Sequence, residues 1–328
     1  MSSALLVARG LEKRFATARG TVFAVRGVDL SVARGASLGI VGESGSGKST
    51  VARLVLVLIR PTAGSVSFDG ADMTSLSDKA LRPIRRRMQI IFQDPLGSLF
   101  PHRSVLDNVS DPLALHREGS PSERRRRAMD MLARVGIPEA LHYAYPHEVS
   151  GGQQQRTAIA RALIMRPELL VCDEPISSLD VSIQAQIINL LLDLREEFGL
   201  SYVLISHNLA HVALLCGEVV VMYLGKVVES GPTAEVFSRP AHPYTRALLA
   251  AIPTIGADGS TPATSMLTGE PPSPLDPPSG CAFRTRCPFV RPECAEREPA
   301  LEDLGFRRSA ACLRLEDGSL PIGDQRLG

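Results

Sequence analysis

The sequence lacks any apolar run of the roughly 18 residues that a membrane-spanning helix requires. Its longest apolar stretches, VARLVLVLIR and GEVVVMYLG, are short or carry charge, and the opening MSSALLVARGLEKRF is too briefly apolar for a secretory signal. A net charge of only +1 offers no general attraction to nucleic acid or to anionic lipid. These absences predict a cytosolic protein that has no membrane span of its own.

Cysteine is also scarce, with six residues in the chain, yet four of them crowd into one segment near the end: Cys281, Cys287, Cys294 and Cys312. Their spacing, C-x5-C-x6-C-x17-C, matches neither the paired CxxC of zinc ribbons nor the ferredoxin run. Because a reducing cytosol disfavours structural disulfides, we expect metal binding or redox chemistry there. Soft thiolates can bind Zn²⁺ or a 4Fe–4S cluster. The residues alone leave three alternatives open: a cluster, a zinc ion, or thiols that bind no metal.

The length of 328 residues predicts one large domain with a smaller appendage, and 44% hydrophobic residues suffice for a sizeable core. The stretch TGEPPSPLDPPSG is a linker by composition. We therefore predict a main domain at 1–255, a proline-rich linker at 256–280 and a cysteine-rich extension at 281–328. No internal repeat is visible, so the chain holds one copy of the main domain.

The fold class follows from two apolar runs of the buried kind, ELLVCDEP and SYVLISHN, which flank the helical pattern AQIINLLLDLREEF. This order predicts a β–α–β unit and hence an α/β protein with a parallel sheet. Residues 96–165 are mostly helical in pattern, and a further helix is predicted from Ser49 to Ile59.

A glycine-rich loop after the strand SLGIV carries the most specific chemistry. The run from Gly42 to Ser49 fits GxxxxGKS/T without a gap and opens a helix. Backbone N–H groups of such a loop point inward and cradle phosphates, and the helix N-terminus adds positive potential. Lys48 is expected to reach the β- and γ-phosphates, while the Ser49 hydroxyl binds Mg²⁺.

The run LLVCDE supplies an acidic pair at the end of an apolar strand. Asp173 is expected to hold Mg²⁺ directly or through water, and Glu174 to position or deprotonate the attacking water. Two further strands end in Gln93 and His207. Because ligands bind at the carboxyl ends of parallel strands, a phosphate cradle, an amide, two carboxylates and an imidazole should meet at one edge of the sheet. That convergence predicts nucleotide hydrolysis.

A second helix start, VSGGQQQR at 149–156, offers another anion-binding N-terminus through Ser150, Gly151 and Gly152. One ATP needs only one phosphate-binding cradle, so a second anion-binding site on the same chain is redundant. Taken together, GESGSGKST, Gln93, SGGQ, CDEP, SSLD (177–180) and His207 resemble the nucleotide-binding subunit of an ABC transporter over residues 5–255. In that family two ATPase domains pair head-to-tail, so that the SGGQ of one faces the γ-phosphate held by the other.

The resemblance implies a P-loop ABC ATPase fold: a RecA-like core, an antiparallel β subdomain and a helical subdomain at about 96–165. By position, Gln93 would sense Mg²⁺ and the attacking water, Asp180 would bridge the two ATP sites, and His207 would contact the γ-phosphate. The implied nucleotide-binding set comprises Phe15 (stacking on adenine), Gly42, Ser44, Gly45, Gly47, Lys48, Ser49, Thr50, Asp173, Ser150, Gly151, Gly152, Gln153 and Asp180. Val149 and Asn208 depart from the usual Leu and Asp of the family.

A narrower resemblance rests on QDPLGSLFP, ISSLDVSIQAQIINLL, AHPYTRALLAAIP and the terminal cysteines. They are similar to the ATPases of oligopeptide/dipeptide importers, a group that includes nickel importers. The resemblance to this group implies that the chain binds ATP and Mg²⁺. It also implies that the four cysteines hold a 4Fe–4S cluster, with Zn²⁺ as the alternative. His242 and Tyr244, in the HPYT stretch, are expected to pack the tail against the main domain.

The same resemblance implies a second ATPase subunit, two integral-membrane permease subunits and an external substrate-binding protein, on the cytoplasmic face of the inner membrane. Nucleic acid is not an expected partner. The rival class, a soluble ABC ATPase acting on nucleic acid or ribosomes, usually has two ATPase units in one chain or a long coiled coil, and neither pattern occurs here.

Overall fold

The computed structural model describes residues 4–177, 179–251 and 269–320. Ser178, part of the predicted linker (256–268) and the end of the predicted extension (321–328) lie outside the described residues. The chain divides into two compact units. Unit 1 contains Ala33–Ala36 and Ser75–Leu204, and unit 2 contains Ala4–Val32, Ser37–Thr74 and the described residues from Ile205 onward.

The described strands are, in chain order, β1 Ala4–Thr17, β2 Gly20–Ala33, β3 Ser37–Val41, β4 Ala63–Phe68, β5 Ala71–Asp72, β6 Met88–Ile91, β7 Leu169–Asp173, β8 Ser201–Ser206, β9 Glu218–Tyr223, β10 Lys226–Pro232, β11 Glu302–Gly305 and β12 Arg308–Ala310. The α-helices are α1 Lys48–Val55, α2 Asp78–Arg87, α3 Pro95–Ser98, α4 Val105–Leu115, α5 Pro121–Arg134, α6 Gly151–Leu163, α7 Val181–Phe198, α8 Leu209–Leu215, α9 Thr233–Ser238, α10 Pro243–Ala250, α11 Glu293–Glu296 and α12 Leu313–Glu316.

Unit 1 is built around parallel strands. β6 and β7 pair from Met88 opposite Leu169 to Ile91 opposite Cys172, and β8 lies next to β7. Every residue of β7 and β8 is buried, which explains their continuous apolar sequences. The elements described between α3 and α6 are all helical. The predicted β–α–β unit (β7, α7, β8) and the α/β fold class are confirmed.

Unit 2 contains two sheets. One has the order β2-β1-β4-β5, with antiparallel pairs β1–β4 and β4–β5. In the other, β3 runs parallel to β9, and β10, β12 and β11 follow as antiparallel neighbours. The sequence patterns did not predict β11 and β12, which are short and polar. Their pairing with β10, Glu229 opposite Ala310, makes part of the cysteine-rich extension a portion of this sheet.

The first helix is shorter than its apolar pattern predicts. α1 ends at Val55, and Val57 adopts the left-handed conformation with φ of 49°. The N–H groups of Val57 and Leu58 donate to the carbonyls of Leu54 and Arg53, which is the hydrogen-bond pattern of a Schellman motif. Glycine usually occupies this left-handed position, and its absence explains why the predicted helix ran on to Ile59.

Among the residues that the structure describes, no helix combines the length and the apolar character needed to cross a membrane.

Candidate active site

The glycine-rich loop of unit 2 wraps around the Lys48 side chain. Lys48 is 4% exposed, and its Nζ donates to the carbonyl oxygens of Gly42 and Glu43, both at 2.8 Å. A Cβ on Gly47, whose φ is +100°, would lie 2.3 Å from the carbonyl oxygen of Ala24. Only glycine fits there, for reasons of conformation and of space.

The positive end of α1 completes this loop. Gly47 is the N-cap residue, and the first turn carries no acidic side chain. Ser49 and Thr50 are partly exposed in that turn, while Ser44 and Gly45 are exposed in the loop before it. The N-terminus of a helix and an ammonium group on the same loop together form an anion-binding cradle.

Residue Glu43, which sequence reasoning did not select, connects this loop to the cysteine-rich extension. Arg286 donates from both terminal guanidinium nitrogens to the Glu43 carboxylate, at 2.6 and 3.0 Å. The Glu43 N–H donates to the Tyr244 hydroxyl at 2.8 Å. The hydrogen bonds to Glu43 raise the pKa of Arg286, so the guanidinium stays charged. The only sequence signal was the HPYT stretch, which predicted packing alone.

In unit 1, the amide and the carboxylate that were predicted to act together are adjacent. The Gln93 Nε2 atom donates to Glu174 Oε2 at 3.3 Å. Asp173, at the end of β7, is 4% exposed. Glu174 has a φ of 48°, which is uncommon for a residue with a side chain and often occurs at functional sites. The parallel pairing of β6 and β7 brings these side chains together.

The SGGQ segment begins α6 with a reciprocal cap. Ser150 Oγ accepts the Gln153 N–H at 3.4 Å, while Gln153 Oε1 accepts the Ser150 N–H at 2.9 Å. A Cβ on Gly152 would lie 2.9 Å from a methyl carbon of Ile183, so close packing of α6 on α7 requires glycine there. Gly151 is exposed at the first position of the helix. The hydrogen bonds between Gln153 and Ser150 therefore fix the N-terminus of α6.

The other predicted contact residues lie at element ends or on exposed strand positions. Phe15 is on β1 and 38% exposed, with Lys13 Nζ 5.1 Å from its ring centroid. Asp180 is the N-cap residue of α7. His207 follows β8, and the next residue, Asn208, caps α8 by accepting the Ala210 N–H. An Asp here could accept the same hydrogen bond, so the Asn208 departure preserves the cap.

The four cysteines of the extension all line one small cavity in unit 2, together with His242 and Phe283. The fold therefore brings the four side chains to one place in the extension. No group of three or more His, Cys, Asp or Glu side chains within 4–177, 179–251 and 269–320 has the arrangement that holds a metal ion. The two remaining cysteines, Cys172 and Cys216, are buried in the core.

Burial governs the protonation of these thiols. It raises the pKa of Cys281 and of Cys287 to about 11, and it also raises the pKa of Cys312. The backbone N–H groups of Phe283 and Phe289 oppose this effect at Cys281 and Cys287. Without a cation the three groups are neutral thiols at pH 7, although N–H donors already point at two of the sulfurs.

His242 is fully enclosed beside this cavity. Burial lowers its pKa to about 3, so the imidazole is neutral, and its Nδ1 accepts the Tyr244 N–H at 3.0 Å. Its side chain thereby caps α10. The expectation that His242 and Tyr244 pack the tail describes part of their role, because Tyr244 also reaches the glycine-rich loop.

Comparison with known proteins places this geometry in a class. A dimeric ATP-binding cassette bound to ADP and Pi in a post-hydrolysis state superposes with a TM-score of 0.65 at 32% identity, covering 70% of this chain and 98% of that chain. A component of an ABC transporter complex from Clostridium perfringens gives a TM-score of 0.63 at 33% identity, covering 71% of this chain and 90% of its own. The fold is that of an ABC ATPase.

The family models for the ABC transporter and for the C-terminal region of oligopeptide/dipeptide transporters match residues 25–177 and 228–294. The oligopeptide transport ATP-binding protein OppF of Escherichia coli is 48% identical over 90% of this chain and 89% of its own length. AppF of Bacillus subtilis is 46% identical over 89% of this chain and 90% of its own. The chain belongs to the ABC transporter ATPases, in the group that carries the oligopeptide/dipeptide transporter C-terminal region.

Proposed function

We propose that this chain hydrolyses ATP to power the import of di- and oligopeptides across the cytoplasmic membrane. The observation that carries the proposal is that one chain combines a phosphate-binding loop with the oligopeptide/dipeptide transporter C-terminal region. Relatives named for oligopeptide transport align with about nine-tenths of the chain. Their names describe those proteins, and the shared C-terminal region is the reason for extending the function here.

In the proposed mechanism, Lys48 and the loop N–H groups bind the β- and γ-phosphates, while Ser49 and Asp173 would hold the Mg²⁺ that offsets their charge. Phe15 stacks on adenine. Glu174 accepts a proton from the attacking water as the water oxygen bonds to the γ-phosphorus and the bond to the bridging oxygen breaks, which releases ADP. Gln93 orients that water and would contact the Mg²⁺. His207 donates to the γ-phosphate, and the positive groups stabilise the charge that develops in the transition state.

A second ATPase subunit, identical or similar, completes each site in this proposal. Ser150, Gly151, Gly152 and Gln153 of one subunit face the γ-phosphate bound by the other, and Asp180 bridges the two sites. The dimeric state of the structurally similar ATP-binding cassette supports this arrangement. ATP-driven closure of the dimer then switches the access of the membrane partners.

Two permease subunits and an external substrate-binding protein supply the path and the selectivity, and they hold this chain at the cytoplasmic face of the membrane. Leu96 and Phe100, which are 45% and 42% exposed just after Gln93, offer apolar contacts for a permease helix. Nucleic acid is not part of the proposed assembly.

The four cysteines are proposed to hold a 4Fe–4S cluster, as the family resemblance implies. Their side chains line a single cavity, where the four sulfurs would bind iron as thiolates. Because no group of three or more His, Cys, Asp or Glu side chains in the described ranges is arranged to hold a metal ion, the proposal rests on the shared cavity and on the family resemblance. The cluster would cross-link an extension that is poor in apolar residues, and hydrogen bonds to sulfur tune such groups.

The cluster is tested by anaerobic purification. We expect brown protein with absorbance near ~400 nm and about four iron atoms per chain. Replacing Cys287 with Ser should remove the colour and lower the melting temperature, while replacing the core residue Cys216 with Ser should leave the iron content unchanged. Colourless protein with one zinc per chain would assign a zinc site instead, and metal-free protein with unchanged stability would remove the proposal.

The transport function is tested in cells that lack the gene for this chain. We expect uptake of a labelled tripeptide to disappear and to return with the wild-type gene, but not with Lys48→Ala, because the loop then loses its phosphate-binding ammonium. Lys79→Ala, on the exposed surface of α2, is the matched control. Loss of nickel uptake with intact peptide uptake would reassign the cargo, and loss of neither would favour a soluble ATPase.

A further inference from the structure

Glu43 is the second residue of the glycine-rich loop. Its carboxylate, its backbone N–H and its carbonyl oxygen each form hydrogen bonds with other side chains. Arg286 binds its carboxylate through two hydrogen bonds at 2.6 and 3.0 Å. Tyr244 accepts its N–H at 2.8 Å, and Lys48 donates to its carbonyl oxygen at 2.8 Å. Two of these partners come from the C-terminal part of the chain, 201 and 243 residues away in sequence.

Arg286 is itself held in place. Its side chain is 4% exposed, and its guanidinium carbon lies 6.0 Å from the Tyr223 ring centroid. It directly precedes Cys287, whose side chain lines the cavity shared by the four cysteines. A buried, bidentate arginine has little freedom to follow a moving carboxylate, so it restricts Glu43 to one place.

An aromatic cluster positions the Tyr244 hydroxyl in the same way. Phe283, which is 1% exposed, packs edge-on against Tyr223 with centroids 5.2 Å apart and lies 5.4 Å from Tyr244. Tyr223 and Tyr244 contact each other at 4.7 Å. Tyr244 has no exposed surface, and its N–H is bound by His242. The hydroxyl therefore points at Glu43 from a rigid support.

Charge gives this contact a consequence for nucleotide binding. A carboxylate in a phosphate-binding loop repels the polyphosphate, and the Glu43 side chain is 25% exposed, so water screens it incompletely. Arg286 neutralises that carboxylate from the side of the extension. Removing Arg286 would leave a negative charge within the loop, while Tyr244 and Lys48 would still bind the Glu43 backbone.

We propose that Arg286 and Tyr244 are positioning residues for the phosphate loop, so that the cysteine-rich extension, together with α10, sets the affinity of this chain for nucleotide. The proposal rests on the ATP binding proposed above. It assigns to the extension a direct role in the ATP site of its own chain, through Glu43, in addition to any role of the cluster in stability.

The experiment is titration of the full chain with a fluorescent ATP analogue and Mg²⁺, together with steady-state ATP hydrolysis. Arg286→Ala should raise Kd and KM about tenfold, the effect expected of a lost charged hydrogen bond, with a smaller change in kcat. Arg286→Lys should recover part of the affinity, because it restores the charge without the bidentate geometry. Tyr244→Phe removes only the hydroxyl and should raise Kd about threefold.

The decisive variant is the double substitution Glu43→Gln with Arg286→Ala. If Arg286 acts by neutralising Glu43, removing the carboxylate should return Kd to within about twofold of wild type, which a merely structural loss would not do. Arg291→Ala is the matched control, since Arg291 pairs with the exposed Asp317 inside the extension and should leave Kd unchanged.

A wild-type Kd in Arg286→Ala, or a double variant as weak as the single one, would overturn the proposal. Should Arg286→Ala fail to fold, Arg286→Lys and Tyr244→Phe decide the question: unchanged Kd in both overturns it. If the wild-type chain itself fails to bind Mg²⁺-ATP, the proposed function has failed, and this outcome is distinct from a failure confined to the variants.

Discussion

Replacing Glu174 with Gln is expected to lower the rate of ATP hydrolysis about 100- to 10,000-fold, the contribution typical of a general base, while ATP still binds. The amide has the shape of the carboxylate but cannot take up the proton of the attacking water. The hydrogen bond between Gln93 and Glu174 at 3.3 Å places the carboxylate beside the amide that is proposed to orient the same water. Because Glu174 is proposed to contact the water and not the nucleotide, ground-state binding should persist.

An assay of phosphate release measures the loss of hydrolysis, and equilibrium titration with ATP measures whether binding persists. We also expect the Glu174→Gln protein to accumulate as an ATP-bound dimer in size-exclusion chromatography, since hydrolysis would no longer open the assembly. Glu196→Gln makes the same chemical change on the exposed surface of α7 and should hydrolyse ATP normally. Turnover within tenfold of wild type in Glu174→Gln would remove Glu174 from the role of base.

Replacing Arg308 with Ala is expected to lower the free energy of unfolding by about 3–5 kcal/mol, the cost of leaving one member of a buried ion pair without its partner. Arg308 and Glu229 have side-chain exposures of 6% and 0%, and their charged atoms are 3.3 Å apart. Arg308 also donates to the carbonyl of Arg239, so the substitution removes two interactions. Burial already raises the pKa of Glu229, which shows the cost of its charge.

The adjacent residue offers the comparison. Arg307 pairs with Glu218, but its side chain is 75% exposed, and such surface pairs contribute about 0–1 kcal/mol. Urea denaturation measures the free energy of unfolding of both variants, Arg308→Ala and Arg307→Ala. If the dependence on urea concentration is the same in both, the difference between their midpoints should correspond to several kilocalories per mole, with Arg308→Ala the less stable. Equal stabilities would mean that the buried pair contributes no more than the exposed one.

Local spacing alone was enough to predict several features of this protein. The order of glycines before Lys48 defines a phosphate loop, because only that residue pattern lets consecutive N–H groups turn inward. Continuous apolar runs predicted the buried strands β7 and β8, since residues on both faces of a central parallel strand are covered. Glu174 directly follows β7 and Gln93 lies two residues after the end of β6, so both were selected as polar residues at strand ends. In each case neighbouring residues in the chain carry the information.

Only the tertiary structure decided which distant groups meet. The contact of Arg286 with Glu43 joins residues 243 positions apart, and β12 adds to a sheet whose neighbour β10 begins more than 80 residues earlier. Both contacts depend on how the extension packs. The periodicity of the sequence reports local structure and does not indicate which distant residues will meet. The sequence by itself thus determined the chemistry of the phosphate loop, whereas the packing of side chains from the far end of the chain determined what holds that loop in place.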